Sequence, residues 1–302
     1  MIPKLIMCCG LPASGKSTKA QNLAEEYNAI IFSSDALREE LFGDVNHQDN
    51  NQELFVELHR RIKSCLKDGR SAIYDACNIS YKRRMAFLAE LKNIPCKKIC
   101  IVMATPYEEC LKRNKERERN VPEYVIEKMY RAFDIPWDYE GWDDILVLYN
   151  GPEPCYGHPL NFYNQYKHFK QDNTHHTLTL GQHCMDTCTA LNDTSKELKA
   201  AGLLHDCGKP FCKTFTNAKG EVTEQAHYYN HEHVGSYCSL FYGDRYEKTN
   251  PIYIATLIRW HMQPYFWEKD NNEKQHNKYR KFWGEELYQD IMKLHEADRA
   301  AH

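Results

Sequence analysis

The sequence contains no apolar run of the length that a transmembrane helix requires. About 20 consecutive apolar residues are needed to cross the hydrocarbon core of a bilayer, whereas the apolar run at residues 5–9 has the length of a buried strand. A signal peptide is not recognisable either. These two absences predict a cytoplasmic protein with no membrane partner.

Paired cysteine motifs and an excess of charge are also absent. The 13 cysteines are an odd, scattered number without a C-x-x-C pair, which favours reduced thiols in a cytoplasm over a disulfide framework. The 39 basic and 42 acidic residues leave a net charge of −3. That balance excludes a uniformly basic nucleic-acid binder, so any surface that binds nucleic acid must be local.

Histidine is scarce in the first half of the chain. Residues 1–150 contain only His47 and His59, whereas the other 13 of the 15 histidines lie in residues 151–302. The segment at residues 150–154, NGPEP, is typical of a domain boundary. We therefore predict one domain over 1–150, and a linker followed by a second domain over 151–302.

The first 150 residues alternate between strand and helix patterns. The predicted strands are residues 4–9, 29–32, 71–74, 98–104 and 144–148, and the predicted helices are residues 16–27, 35–41, 52–67, 81–91, 106–117 and 121–133. Such alternation predicts an α/β fold, in which helices cover both faces of a parallel sheet and ligands bind at the carboxyl ends of the strands.

A glycine-rich loop, GLPASGKST at residues 10–18, follows the first predicted strand. It fits the pattern G-x-x-x-x-G-K-[ST] between a strand and a helix, in which backbone N–H groups and the helix N-terminus bind phosphate. Lys16 would bridge the β- and γ-phosphates of ATP, and Ser17 would ligate Mg²⁺. The predicted nucleotide contacts are Gly10, Ala13, Ser14, Gly15, Lys16, Ser17 and Thr18.

Charged residues after the second predicted strand suggest an acceptor site. Asp35 is near the position of an acceptor hydroxyl, whose proton its carboxylate could take. The alternative is that Asp35 caps the next helix, because Asp is favoured at that position. Arg38, one helical turn later, could contact an acceptor phosphate or be a solvated charge.

Three further segments carry charge at or near the same predicted edge. Asp75 follows the third strand directly. The triplet at residues 82–84, KRR, could follow a phosphodiester backbone or form a solvated helix face. Residues 112–119, KRNKERER, have the composition of a mobile lid, from which an arginine could neutralise a transferring phosphate, although an exposed helix has the same composition.

Together these residues resemble the kinase domain of the bacteriophage-type polynucleotide 5′-hydroxyl kinases. The shared motifs are the glycine loop, Ser34-Asp35 with Arg38, Asp75-x-x-Asn78 with Arg83-Arg84, Lys112-Arg113-Asn114, and Val121-Pro122 with Met129-Tyr130. The resemblance implies ATP with Mg²⁺ as cofactor and RNA or DNA ends as substrate. It implies catalytic roles for Lys16, Asp35, Arg38, Asp75 and Arg117.

Within this resemblance, Asp35 is the general base, Arg38 contacts a 3′-phosphate, and Asp75 belongs to the acceptor or metal shell. The lid would also supply contacts to the nucleotide, for which the resemblance favours Arg113 and Arg117. The chain has one residue fewer between Asn114 and Val121 than the family pattern. This difference leaves the lid arginine open among Arg113, Arg117 and Arg119.

The second half of the chain has few strand signals. The predicted helices are residues 180–191, 195–204, 231–242, 251–261 and 285–299. One of them ends at His205-Asp206, and an adjacent imidazole and carboxylate can bind a metal ion. The dipeptide alone is weak support, but His183 before it and Asp298 after it complete an ordered set of metal ligands.

This ordered set resembles the HD phosphohydrolase superfamily, an all-α fold that binds divalent metal. The resemblance, over residues 173–302, implies a primary ion and a second ion that shares Asp206. The implied ligands are His183, His205, Asp206 and Asp298 for the first, with His231 and His261 for the second. His176, His227 and Lys209 are further candidates for contacts to the substrate, and each histidine is as well explained by an ordinary structural role.

The two halves together predict a bifunctional enzyme that repairs nucleic-acid ends. A 5′-hydroxyl kinase would add one phosphate, and the HD domain would remove a 3′-phosphate or a 2′,3′-cyclic phosphate. One alternative is a small-molecule nucleoside or nucleotide kinase fused to an HD nucleotidase. Another is an ATP-binding sensor with an HD domain. The sequence is equally compatible with a monomer and a dimer.

Overall fold

The chain forms two compact units in the computed structural model, which describes residues 2–47, 49–151, 157–174, 177–243, 249–268 and 273–301. The first unit comprises Met1–Met129 and Pro136–Gly151, and the second comprises Tyr130–Ile135 and Pro152–His302. His176 lies outside the described residues, as do residues 152–154 of the predicted linker. Within the described ranges, no helix combines the length and the apolar character needed to cross a membrane.

The first unit is built on a five-stranded sheet in which every pair of neighbours is parallel. Its strands are β1 (Lys4–Cys9), β2 (Ile30–Ser33), β3 (Ala72–Asp75), β4 (Lys97–Ala104) and β5 (Asp144–Tyr149). Their order across the sheet is β2-β3-β1-β4-β5. Because parallel neighbours need crossover connections, a helical segment lies between successive strands. The predicted α/β architecture is confirmed.

Helices connect these strands as the sequence pattern predicts. They are α1 (Lys16–Tyr27), α2 (Ser34–Phe42), α3 (Asn51–Lys67), α4 (Tyr81–Glu90), α5 (Tyr107–Lys115) and α6 (Glu123–Tyr130), followed by the 3₁₀ turn η1 (Asp138–Glu140). The largest differences from prediction occur around the lid: α5 ends two residues early, and α6 is shorter at both ends. Residues 116–122 are therefore a loop between two helices.

The core of the first unit lies against the middle of the sheet. The strands β1 and β4 pair with each other and are buried over most of their length. Ile6, Ile73 and Ile101 from three strands pack with Ala20 and Leu23 from α1. Burial on both faces explains why residues 5–9 and 99–104 are continuous apolar runs, since those positions are buried.

The strand register brings the predicted kinase residues to one edge of the sheet. Asp75 at the end of β3 is in register with Cys8 on β1 and with Ser33 on β2. The glycine loop follows Cys9 directly, and Asp35 lies two residues beyond Ser33. The loop, Asp35 and Asp75 therefore lie at the carboxyl edge, where α/β sheets bind their ligands.

Arg84 is not available to follow a phosphodiester backbone, as the sequence pattern allows. Its guanidinium is 1% exposed and donates to both carboxylate oxygens of Glu140, at 2.8 and 2.5 Å. A third bond reaches the carbonyl of Asn78 at 2.8 Å, and Trp142 donates its indole N–H to Glu140. Arg84 is a structural anchor for the segment that contains Asn78, whereas Arg83 is exposed.

The second unit is largely helical, in agreement with the all-α prediction. Its helices are α7 (Leu160–Tyr166), α8 (Leu180–Ala190), α9 (Lys196–Leu204), α10 (Lys209–Cys212), α11 (His231–Ser239), α12 (Pro251–Trp260), α13 (Gln263–Glu268), α14 (Glu273–Trp283) and α15 (Glu285–Ala300). The five predicted helices are all present, with ends that differ by up to three residues.

A short hairpin in the second unit was missed by the sequence pattern. Its antiparallel strands are β6 (Thr214–Thr216) and β7 (Val222–His227). The apolar residue Val222 is 86% exposed, and Ala226 is the buried residue of this strand. Without a row of buried side chains, neither strand shows the apolar alternation by which strands are recognised.

We expect Arg84→Ala to lower the free energy of unfolding by about 3–5 kcal/mol, because Glu140 would stay buried without its partner. Urea unfolding followed by circular dichroism measures this change. The exposed neighbour provides the control, since Arg83→Ala should change the free energy by about 0.5 kcal/mol or less. Equal losses in the two variants would contradict a structural role for the Arg84–Glu140 pair.

Candidate active sites

The glycine loop turns sharply between β1 and α1. Gly15 has a φ of 91°, in the left-handed region, and a Cβ on it would lie 2.3 Å from the side-chain nitrogen of Asn150. The left-handed backbone conformation favours glycine here, and a larger residue would also displace the Asn150 side chain. Ala13 also has a positive φ, of 63°. This wrapped backbone is the form in which successive N–H groups can face phosphate oxygens.

Neighbouring side chains hold the loop in this form. The carbonyl of Ser14 accepts hydrogen bonds from Thr105 Oγ1 at 2.9 Å and from Asn150 Nδ2 at 2.8 Å. Lys16 is 8% exposed, and its Nζ donates to the carbonyl of Leu11 at 2.7 Å. The backbone of the loop is thus preorganised. The Lys16 side chain lies against the loop and occupies its own hydrogen-bond acceptor there.

Ser17 and Asp75 form a pair of oxygen ligands beside the loop. The Ser17 hydroxyl lies close enough to the Asp75 carboxylate to stabilise its charge, and Asp75 is 6% exposed. Burial raises the pKa of Asp75, while the Ser17 hydroxyl and the charge of Lys16 oppose that rise. Hydroxyl and carboxylate oxygens are the ligands that Mg²⁺ prefers, so these two residues fit the ion that accompanies ATP.

Asp35 is held by two arginines and does not cap its helix. The cap of α2 is Ser33, whose hydroxyl accepts from the N–H of Ala36. The Asp35 carboxylate instead accepts from Arg38 Nη1 at 3.0 Å and from Arg119 Nη1 at 2.7 Å, one bond on each oxygen. The capping alternative for Asp35 is therefore wrong. Its carboxylate is 55% exposed and remains accessible to an acceptor.

The three lid arginines differ in their partners. Arg113 donates to Glu109 on its own helix at 2.7 Å. Arg119 reaches Asp35, and also donates to the carbonyl of Val45 at 3.0 Å. Arg117, which the resemblance favours as the catalytic arginine, forms no hydrogen bond or ion pair with the described residues. Of the three, Arg119 is the one that contacts a predicted kinase residue.

Asn114 closes the base of the lid loop. Its side-chain amide donates to the carbonyl of Val121 at 2.8 Å and accepts from the N–H of Val121 at 3.0 Å. The Asn114 side chain is buried. The two bonds bring the ends of residues 116–120 together, so this segment projects as a loop with a fixed base.

In the second unit, separate helices carry the predicted metal ligands. His183 lies on α8 and Asp298 on α15, His205 follows α9, His231 begins α11, and His261 follows α12. Gly208 lets the loop after Asp206 approach α11, because a Cβ on it would lie 2.1 Å from the carbonyl oxygen of His231. Only glycine fits at this position. The close packing of the loop on α11 brings Asp206 near His231.

The four histidines share one orientation. In each, Nδ1 lies within hydrogen-bonding distance of a backbone carbonyl, at 2.7 to 3.0 Å. The acceptors are the carbonyls of Ala301 for His183, Gly202 for His205, Tyr228 for His231 and Ile258 for His261. A carbonyl only accepts, so each Nδ1 carries a proton and each Nε2 is the nitrogen left to bind a ligand.

The first group of ligand atoms is compact and buried. His183 Nε2 lies 3.1 Å from His205 Nε2 and 3.0 Å from Asp298 Oδ1. His205 Nε2 lies 3.3 Å from Asp206 Oδ2. Ligand atoms that bind one ion at about 2.0–2.2 Å are separated from each other by roughly 3–3.5 Å in a tetrahedral site. These residues therefore fit a divalent ion.

A second group shares Asp206 with the first. His231 Nε2 lies 3.2 Å from Asp206 Oδ1 and 3.3 Å from His261 Nε2. Asp206 thus presents Oδ2 to one pair of imidazoles and Oδ1 to the other. Asp206, His231 and His261 also form a set that could hold an ion. The arrangement has the geometry for two neighbouring ions bridged by one carboxylate, which is the arrangement that the HD resemblance implies.

The charges around the site shift the pKa values of its histidines in opposite directions. Burial alone would lower the pKa of His205, but Asp206 and Asp298 outweigh it and raise the pKa to about 10. Burial and the nearby His231 lower the pKa of His261 to about 3. An ion would therefore displace a proton from His205, whereas His261 is neutral and ready to bind.

Two residues that support the ligands were missed from the sequence. Tyr265 donates its hydroxyl to Asp298 Oδ2 at 3.0 Å. Gln171 accepts from Lys209 Nζ at 2.8 Å, and Lys209 also lies 2.6 Å from Asp206 Oδ2. Neither Tyr265 nor Gln171 belongs to a motif, because each acts through one contact that only folding creates.

Cys184 also lies close to His205 and Asp206, in a set that could hold an ion. Burial raises the pKa of its thiol well above the ordinary value, and the charge of Asp206 adds to the rise. Cys184 is therefore a buried, protonated thiol beside the two groups when no ion is bound.

Two family models match this chain, one in each half. The AAA domain model matches residues 5–136, and the HD domain model matches residues 174–301. The chain joins a P-loop kinase fold to a helical HD domain. The first implies binding of ATP with Mg²⁺, and the second is of a kind that binds divalent metal.

Individual relatives match about half of the chain. L-seryl-tRNA(Sec) kinase of Methanococcus maripaludis is 30% identical over 156 residues, which are 47% of this chain and 58% of the relative. Protein kti12 of Schizosaccharomyces pombe is 24% identical over 47% of this chain and 55% of its own length. The chain thus spans little more than half of each relative. A structure of the Pnkp1/Rnl/Hen1 RNA repair complex is 26% identical over 42% of this chain and 43% of the compared chain, with a TM-score of 0.37.

We expect the two ligand groups to respond differently to substitution. Asp206→Asn should weaken binding of both ions, because each group uses one of its oxygens, whereas His261→Gln should weaken binding of one ion only. Metal titration by calorimetry, with elemental analysis of the stoichiometry, measures the two affinities. His168→Gln, at an exposed histidine, is the control. Binding of a single ion by the unsubstituted protein would contradict the second group.

Proposed function

We propose that this protein restores both ends of a broken nucleic-acid strand. Its P-loop unit would transfer the γ-phosphate of ATP to a 5′-hydroxyl, and its HD unit would remove a 3′-phosphate or a 2′,3′-cyclic phosphate. Ligation needs a 5′-phosphate and a 3′-hydroxyl, so the opposed reactions serve one product. The observation that carries the proposal is the occurrence, in one chain, of an accessible carboxylate beside the P-loop and a buried cluster of metal ligands.

The kinase proposal depends on Asp35. As the hydroxyl oxygen attacks the γ-phosphorus, Asp35 would accept the hydroxyl proton while the bond to the β–γ bridging oxygen breaks and ADP leaves. Arg38 and Arg119 fix the direction of the carboxylate through one hydrogen bond each. Their charges would also face the phosphates of donor and acceptor, which favours transfer.

The glycine loop would hold the donor. Lys16 would move its ammonium from the carbonyl of Leu11 to the β- and γ-phosphates, and the loop N–H groups would bind the phosphate oxygens. Ser17 and Asp75 would hold Mg²⁺, which neutralises phosphate charge when bound. Because Ser14 is fixed by two side chains, the loop would need little rearrangement to bind.

The hydrolase proposal depends on the ligands around Asp206. They would hold one or two divalent ions, which supply an activated water and stabilise the leaving oxygen of a phosphoester when bound. The Lys209 ammonium lies 2.6 Å from Asp206 Oδ2. From this position it would contact the substrate phosphate. Tyr265 would keep Asp298 aimed at the site through its hydroxyl.

One observation favours a smaller acceptor as a second candidate. Arg84 is buried against Glu140, which removes one of three basic residues from the surface that would follow a phosphodiester backbone. A small-molecule kinase fused to a nucleotidase would not need that surface. The similarity to L-seryl-tRNA(Sec) kinase supports an RNA-linked acceptor instead, since the name of that relative specifies an acceptor attached to a tRNA.

Substitution of one carboxylate in each unit should separate the two activities. On an oligonucleotide with 5′-hydroxyl and 3′-phosphate ends, Asp35→Asn should slow phosphorylation by about 10²–10⁴-fold, the usual effect of losing a general base. Asp206→Asn should reduce phosphate release to background and leave phosphorylation intact. Gel analysis of the two ends, with ATP and a panel of divalent metals, measures both rates.

The matched control for Asp35→Asn is Asp138→Asn, at an exposed acid in η1, which should leave both rates unchanged. If a mononucleoside outcompeted the oligonucleotide as acceptor, the small-molecule candidate would replace the proposal. Persistence of phosphate release in Asp206→Asn would place the hydrolase chemistry elsewhere.

Among the lid arginines, we expect Arg119 to matter most for phosphotransfer. Arg119→Ala should lower kcat by about 10²-fold, because the carboxylate of Asp35 loses a hydrogen-bond partner and the phosphates lose a charge. Arg113→Ala should have a much smaller effect, since Arg113 is paired with Glu109 on its own helix. Steady-state kinetics on the 5′-hydroxyl oligonucleotide compare them, and a larger loss in Arg113→Ala would exclude this assignment.

A further inference from the structure

The segment Tyr130–Ile135 belongs to the second unit although it lies within the first half of the sequence. The AAA domain match extends to residue 136 and includes it. Tyr130 and Ile135 are each 3% exposed, and Phe133 is 0% exposed. The segment is therefore part of the core of the HD unit rather than a surface connection.

Aromatic contacts anchor the segment. The ring of Tyr130 packs edge-on against Phe211 and Tyr237, with centroids 5.0 and 5.6 Å apart. Phe133 packs on Tyr237 at 4.7 Å, and the guanidinium of Arg131 lies over Phe211 at 4.9 Å. Buried aromatic pairs of this kind add to the free energy gained from area alone, so the segment has a defined position.

This position brings Asp134 against two helices at once. Asp134 Oδ1 accepts from Arg259 Nε at 2.9 Å and lies 3.4 Å from His233 Nδ1. His233 Nδ1 also donates to the carbonyl of Phe133 at 3.2 Å. Asp134 is 8% exposed. The buried carboxylate therefore accepts a charge-assisted hydrogen bond from the Arg259 guanidinium and lies against the His233 imidazole.

Both partners of Asp134 adjoin ligands of the second ion. His233 is two residues after His231 at the start of α11, and Arg259 is two residues before His261 at the end of α12. The Nε2 atoms of those ligands lie 3.3 Å apart. Their separation depends on where the two helix ends lie, and Asp134 links those ends.

We propose that Asp134 is a positioning residue for the second ion of the HD unit. It acts through Arg259 and His233, which set the helix ends that carry His261 and His231. The inference rests on the two-ion site of the proposed function. It also assigns to the hydrolase a residue that sequence order and the family match assign to the kinase half.

The effect of losing Asp134 should be local. The helices α11 and α12 are joined a second time, further from the site, by a hydrogen bond from Ser236 Oγ to the carbonyl of Ala255 at 2.8 Å. The first ion would use His183, His205, Asp298 and Oδ2 of Asp206, which lie on or beside α8, α9 and α15 rather than on α11 or α12. The helices would therefore stay packed while the spacing of the second pair of ligands loosens.

The test is metal titration of the full-length protein with Mn²⁺, followed by calorimetry. Asp134→Ala should weaken the second ion by about 10-fold or more, in the range found for residues that orient metal ligands, and leave the first ion unchanged. Phosphorylation of the oligonucleotide should also be unchanged. Asp134→Asn keeps the volume of the side chain and an acceptor for Arg259 but removes the charge. It should therefore recover only part of the affinity, whereas a role in packing alone would give full recovery.

The control is Asp138→Ala, which removes an exposed acid four residues away and should leave both ions unchanged. Equal weakening of both ions in Asp134→Ala, or no weakening of either, would overturn the proposal. If Asp134→Ala did not fold, Arg259→Gln would make the same test from the α12 side, with the same two outcomes. Binding of one ion by the unsubstituted protein would reject the two-ion site itself, so the two failures can be told apart.

Discussion

The second unit depends on one buried carboxylate that serves two groups of ligands. Asp206 presents Oδ2 to His205 at 3.3 Å and Oδ1 to His231 at 3.2 Å. Burial opposes its ionisation, but Lys209 and His205 outweigh burial and hold its pKa well below the ordinary value. A buried charge is tolerated only among such partners. The elements that carry them must therefore converge on this residue, so the fold of this unit and its cluster of candidate metal ligands depend on each other.

Burial also decides the roles of the arginines in the first unit. Arg84 and Arg119 are both paired with carboxylates, yet the Arg84 pair is sealed in the core whereas Arg119 is 33% exposed. The buried pair fixes Arg84 against the backbone of Asn78, because separating the pair would leave an unpaired charge in the core. A pair that water can reach is easily exchanged for phosphate. The same type of ion pair, arginine with a carboxylate, is therefore structural where it is buried and suited to catalysis where it is exposed.

Chain order and spatial order differ at residues 130–135. Composition predicts a boundary at residues 150–154, because clustered glycine and proline are typical of segments between domains. It carries no information about which earlier residues pack beyond that boundary. Tyr130 and Phe133 are aromatic residues that would fit either core, and Asp134 has no motif around it. Their place was decided by complementary partners, Tyr237 and Arg259, that only the folded chain presents.

The sequence by itself determined the alternation of strands and helices, the glycine loop and the ordered histidine–aspartate set, because each is a local pattern with a fixed spacing. It also placed Asp35 and Asp75 after strands, and hence at one sheet edge. The tertiary structure alone decided that Asp35 pairs with Arg119, that Arg84 is buried, and that Tyr265 supports Asp298. These contacts join residues far apart in the chain. The stabilisation that each contact provides depends on burial and distance, which a local sequence pattern does not specify.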